Sequence, residues 1–217
     1  RRLIGIGVAA PYDLGGWQRE ANIPEHLTEQ WNSIDIKHTI QAQQTLPVWF
    51  VNDATAACMT SLECGGGAPF SNYLYIFLGT FIGGGAVLNR TLFMGAHNNS
   101  GAIGSMPLPA GYLRHDPANS SSQLINCASR YLLDEALQSM GQNPDNALQQ
   151  LADLPDSDLS LAILDTFQHW QNQAAACLAY AISSAVSVID FEGVVLDGIL
   201  PPSLMRQMTS AVERELD

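Results

Sequence analysis

Tyr75-Ile76-Phe77-Leu78-Gly79-Thr80-Phe81-Ile82-Gly83-Gly84-Gly85-Ala86-Val87 decides how the rest of this chain is read. It has the pattern of a buried strand, a glycine hairpin and a second strand. Gly79 and Gly83 to Gly85 leave the backbone bare, so N–H groups there can approach a phosphate. Thr80 adds a hydroxyl donor, and Phe81 puts one bulky ring in the middle of the turn.

Strand and helix patterns alternate on both sides of this hairpin, which makes the class α/β. Upstream, Leu3 to Val8 is a short apolar strand, and Asp13 to Asn32 is polar with Trp17, Trp31 and Pro24. Ile34, Ile36, Ile40 and Ala42 have helical spacing. Pro47 to Val51 is a buried strand that runs into Asn52-Asp53, and Ala54 to Leu62 is helical until Gly65-Gly66-Gly67. The hairpin strands are placed at Asn72–Phe77 and Gly85–Asn89. Downstream, Arg90 to Pro109 is irregular. Ser121 to Met140 is helical, with Gly141 as its C-cap. Leu161 to Ile189 is one long helix or a broken pair, apolar nearly all round at its centre and therefore buried. Val194 to Leu196 is a strand, and Ser203 to Leu216 is an amphipathic helix with Leu204, Met208, Ala211 and Val212 on one face.

At 217 residues the chain can form one large domain or two small lobes. Lys+Arg 9 against Asp+Glu 21 gives a net charge of −12, which repels phosphate backbones; Arg1-Arg2 is the only basic pair. Cys58, Cys64, Cys127 and Cys177 show no CxxC spacing, which argues against a zinc knuckle and a dense disulfide framework. They are read as free buried thiols in a cytoplasmic protein. No apolar run approaches the ~18–20 residues that span a bilayer. The chain opens inside a strand pattern without Met, so it is read as part of a longer protein with its N-terminal part missing.

Four segments, in order, resemble motifs of the ROK family of bacterial repressors and sugar kinases. They are Gly5-Ile6-Gly7-Val8-Ala9-Ala10-Pro11, Pro47 to Ala57 around Asn52-Asp53, Gly79 to Gly85, and Gly95 to Met106. Val194-Val195-Leu196-Asp197-Gly198 resembles the family's strand and turn near the adenosine. The resemblance implies a two-lobed, actin-like (ribonuclease H-like) ATPase fold. Residues 1–53 would be a partial first lobe and 54–217 the second, with the terminal helix free to return to the first.

For the site, the resemblance implies that Asp53 is the catalytic base of a kinase and Asn52 its sugar-binding neighbour. Asp53 also stands where a helix N-cap would. Ala10, Pro11, Gly101 and Ser105 are expected to line the sugar pocket with Asn52 and Asp53, and Gly79, Thr80, Gly83 and Gly84 form the phosphate-like loop. Several positions depart from the family pattern. Tyr12 replaces a glycine, and Phe81 replaces the middle glycine of the turn, where a Cβ opposes positive φ. Ala102 and Ser105 replace a glutamate and a zinc-binding histidine, and Pro107 to Ser122 holds no cysteine. His97 and His115 are expected to be surface loop residues. Asp197 brings negative charge toward a nucleotide.

The expected function is the sugar-sensing effector domain of a regulator, without zinc or nucleotide. DNA contacts would lie in a helix-turn-helix upstream of Arg1, and a homodimer or tetramer is expected. The alternatives are an ATP- and Mg²⁺-dependent sugar kinase and a scaffold for dimerisation.

Overall fold

The computed structural model describes residues 2–11, 25–109, 123–155 and 158–217. It has two compact units, Arg1–Thr60 and Ser61–Asp217.

The first unit holds two parallel strands, β1 (Ile6–Ala9) and β2 (Val48–Val51), in register from Ile6 opposite Val48 to Ala9 opposite Val51. Between them lie α1 (Glu25–Ser33) and α2 (Ile36–Gln41). Asp35 caps α2 by accepting the His38 N–H at 2.8 Å. α3 (Asp53–Cys64) leaves the end of β2, and the boundary between the units falls inside it. Trp17 and Tyr12 lie outside the described residues, and Trp31 is half-buried in the last turn of α1.

The second unit is built on a four-stranded sheet in the order β5–β4–β3–β6: β3 (Tyr73–Leu78), β4 (Ile82–Leu88), β5 (Thr91–Phe93) and β6 (Gly193–Gly198). β3 is central and nearly every side chain on it is buried, which is why its sequence is apolar without alternation. β4 pairs antiparallel with it and β6 parallel. α4 (Ile125–Ala128) and α5 (Arg130–Ser139) are separated by Ser129, where the sequence pattern predicts a single helix. The end of α5 is a Schellman turn. Gly141 has φ +74°, its N–H donates to Gln138 O at 2.8 Å, and the Gln142 N–H donates to Leu137 O at 3.0 Å. α6 (Pro144–Asp153) follows its Asn143 cap.

α7 (Leu161–Val188) is one continuous helix of 28 residues. It packs against α4, α5 and α8 (Pro202–Leu216), which explains its apolar circumference. Leu204, Met208, Ala211 and Val212 are the buried face of α8, and that helix also meets α6 and β6 within the second unit. Among the described residues no helix is long and apolar enough to cross a membrane.

Three expectations are corrected here. Gly83 to Gly85 are not turn residues: β4 begins at Ile82, and they pair with Phe77, Ile76 and Tyr75. The residues joining the strands are Gly79, Thr80 and Phe81. Phe81 does not take a positive φ, which among described non-glycine residues occurs only at Asn89, Arg90 and Asn98. Cys127 and Cys177 are not thiols but a disulfide between α4 and α7, 50 residues apart in sequence; Cys58, buried, and Cys64, exposed, are outside any disulfide. Scattered spacing does not show that pairing, because helix packing rather than sequence distance brings the two sulfurs together.

Glu192 ties the start of β6 to the start of β3. Its carboxylate accepts the Ser71 N–H at 2.8 Å and Asn72 Nδ2 at 3.1 Å. The Ser71 bond, then Asn72, holds its pKa below the usual 4.5. A carboxylate depressed in the folded state stabilises above its unfolded value, and this is lost as pH falls through the folded one. In Glu192→Gln, the acid-side fall in Tm below about pH 4.5 should therefore be shallower than in wild type. Superimposable acid profiles from calorimetry would refute this.

Candidate functional site

Ala10, Pro11, Asn52 and Asp53 come together because β1 and β2 are parallel. Each pair follows the carboxyl end of its strand, and the Ala10 N–H donates to Val51 O at 3.2 Å. Carboxyl ends of parallel strands are where α/β sheets bind ligands, since helix N-termini and side chains converge there. The capping role falls on Asn52 rather than Asp53. Asn52 Oδ1 accepts the N–H groups of Ala54 at 3.1 Å and Thr55 at 3.4 Å. Asp53 is the first residue of α3 and exposed, with Oδ1 on the Ala54 N–H at 2.8 Å. Asp53 Oδ2 and the Asn52 amide nitrogen have no partner among the described residues. The pair thus keeps one carboxylate acceptor and one amide donor available to a polar ligand.

The second unit holds the other expected site residues. Its Gly79–Ile82 turn is gripped by the residues before and at the start of α5. The Arg130 N–H donates to Gly79 O and the Tyr131 N–H to Thr80 O, both at 3.1 Å. Fully buried Ser129 accepts the Ile82 N–H on Oγ at 3.0 Å. The Phe81 ring lies 5.4 Å from that of Tyr131, tilted by 51°. Sequence reasoning missed Ser129 and Tyr131; a serine directly before a helix was the available sign of a junction.

The glycines of β4 serve a backbone contact. A Cβ on Gly84 would stand 2.4 Å from Tyr75 O and 2.9 Å from Gly101 O, and one on Gly104 would stand 2.5 Å from Ile82 O. Gly101, at φ +75°, lies against Gly85. The loop carrying Gly101 and Ser105 thus rests directly on β4 through a 3₁₀ turn at Ile103–Ser105. Ser105 is exposed, as is His97; His115 lies outside the described residues. Among the described residues no three His, Cys, Asp or Glu converge as metal ligands.

Asp197 stands opposite Phe77 near the carboxyl end of β6, beside the turn. Its carboxylate accepts Tyr75 OH at 2.9 Å and the Gly198 N–H at 2.8 Å. Beyond β6 opens a cavity of about 650 Å³, lined by Arg130, Asp145, Gln149, Ile199, Pro201 and Arg206 among others. Arg130 bonds Asp134 at 3.0 Å and also pairs with Asp145. Burial opposes its charge, but these two bonds outweigh it and hold its pKa above the ordinary value. Burial pushes the Asp134 carboxyl up against the pull of Arg130. Arg130 is charged here, because a guanidinium does not deprotonate in proteins.

The family model of the ROK family matches residues 1–217. A xylose repressor of Bacillus subtilis is 31% identical over 106 residues, covering 49% of this chain and 27% of the repressor. A glucokinase of Halalkalibacterium halodurans is 34% identical over 114 residues, covering 50% of this chain and 33% of the kinase. The matched segments are therefore no more than about a third of these relatives' length. The crystal structure of a ROK hexokinase from Thermus thermophilus superposes with a TM-score of 0.64 at 22% identity, over 98% of this chain and 68% of the hexokinase, a likeness of fold. The chain belongs to the ROK family and carries part of its actin-like α/β fold.

Proposed function

We propose that this chain is the sugar-sensing body of a ROK transcriptional regulator that does not turn over ATP. The observation that carries the reading is the engaged turn. The first two N–H groups of α5 and the Ile82 N–H are already bonded to the turn and to Ser129. These are donors an anion would need at this place. The exposed Asp197 carboxylate adds repulsion: at about 4 Å each like-charge pair costs ~1 kcal/mol in water and ~4 at a protein surface. These contacts leave a nucleotide's phosphates fewer donors at the turn. A neutral sugar needs no such cradle, and Asn52 and Asp53 offer it a donor and an acceptor. DNA contacts belong to a segment outside this chain, since a charge of −12 repels the duplex.

One observation favours a kinase. Asp53 is an exposed carboxylate at a strand end, placed to take a proton from a sugar hydroxyl. Two measurements on the full-length protein separate the readings. Isothermal titration with a panel of pentoses, hexoses and N-acetylated amino sugars should show saturable binding of at least one. Removing a charged hydrogen-bond partner in Asp53→Ala should weaken that binding by about 10- to 100-fold. A coupled ADP-release assay with the same sugars should stay at background. Sugar-dependent turnover lost in Asp53→Asn would establish the kinase instead, and absence of binding to every sugar would sink the sensor.

A further inference from the structure

The disulfide of Cys127 and Cys177 lies between α4 and α7, with the two residues 1% and 0% exposed. α4 is only four residues long and cannot sustain its hydrogen bonds without tertiary support. From α4 the chain passes through Ser129 into α5, and Ser129, Arg130 and Tyr131 are the residues that grip the Gly79–Ile82 turn. On α7, Trp170 Nε1 donates to the Ser129 carbonyl at 3.2 Å, about two helical turns from Cys177. The crosslink and this indole therefore anchor the same short segment to the same helix. We propose that Cys127–Cys177 is a reversible thiol–disulfide switch whose state sets how firmly the Gly79–Ile82 turn is held.

The exchange partner is a low-molecular-weight thiol, R–SH, and its disulfide. A thiolate R–S⁻ attacks one protein sulfur, forming a mixed disulfide and releasing the other cysteine as thiolate. A second R–S⁻ attacks the R-side sulfur of the mixed disulfide, freeing the remaining cysteine as thiolate and forming R–S–S–R. Both protein thiolates take up protons, so the protein gains two electrons and two protons while two R–SH become R–S–S–R. The sulfurs are buried, so attack follows opening of α4, the shortest α-helix described. Reduction leaves α4 held by the packing of Leu124, Ile125 and Ala128, by the Leu124 N–H on Met106 O and by the Trp170 bond to Ser129. The grip on the turn then loosens from the α4 side. This holds whether or not the chain senses a sugar.

The test uses the full-length protein in a Cys64→Ser background, which removes the exposed thiol. Samples are equilibrated with mixtures of reduced and oxidised glutathione, trapped with maleimide and weighed by mass spectrometry. Cys127 and Cys177 should become labelled together as the mixture turns reducing. Amide exchange at Ile82, Arg130 and Tyr131 should be about tenfold faster or more in the reduced protein and in Cys127→Ser/Cys177→Ser. Exchange at His38 and Asn146, capped locally by Asp35 and Asn143, should not change. Equal turn rates in both states, acceleration of the controls as well, or labelling of both cysteines in every mixture would each overturn the proposal.

Discussion

Gly101→Ala should destabilise the protein by about 3 kcal/mol or more, from left-handed strain and backbone overlap together. Gly101 has φ +75°, and its new Cβ would lie 2.4 to 2.8 Å from the Cα, C and N of Gly85. Those are backbone atoms of a paired strand and cannot rotate away as a side chain would. Two other glycines separate the causes. Gly141 has φ +74° with nothing within 4 Å of an added Cβ, so Gly141→Ala carries strain alone, about 1 kcal/mol. Gly7 has neither problem, and Gly7→Ala should be near neutral. Urea denaturation of the three variants should rank them in that order. A Gly101→Ala variant no less stable than Gly141→Ala would mean the loop does not rest on β4.

Reducing the Cys127–Cys177 disulfide should lower stability by up to about 4 kcal/mol, the loop-closure entropy for a 50-residue separation. That ceiling is set by the chain entropy released in the unfolded state, not by the packing of the folded one. Native structure surviving in the denatured ensemble would reduce it. The check is a pair of urea curves with and without reductant, in which the midpoint should fall and the slope rise, because the uncrosslinked denatured chain exposes more surface. Coincident curves would show that the crosslink adds nothing to equilibrium stability.

Much of the fold is legible from pattern alone, because burial leaves a periodic mark. The four apolar residues that share one face in the α8 sequence are its buried face, the unalternating Tyr73–Leu78 is the central strand, and Gly141 ends α5. Asn52-Asp53 is readable as a strand end because an apolar run stops there, and parallel pairing puts Ala10 and Pro11 beside it. Gly83 to Gly85 mislead for a physical reason. A glycine tract shows that no Cβ is tolerated, but not whether a left-handed turn, a ligand or a neighbouring backbone forbids it. At Gly84 the neighbours are the Tyr75 carbonyl of β3 and Gly101 of the covering loop. Ser129 and the cysteine pair are hidden for a related reason: their partners are fixed by how α4 meets α7 and the turn, which no local window contains.

The contact between β4 and its covering loop also limits how this protein can change. At Gly84, Gly101 and Gly104 a Cβ would meet backbone atoms, so these positions admit almost no variation. On the proposed sensor reading, drift toward a new ligand would proceed through neighbours whose side chains have room, such as exposed Ser105 and His97 on the same loop. A selection for altered ligand preference should return substitutions at those neighbours while the glycines stay fixed. The frame that holds the loop is thus the part of the protein least open to evolutionary tuning, and the loop's outward residues are the most open.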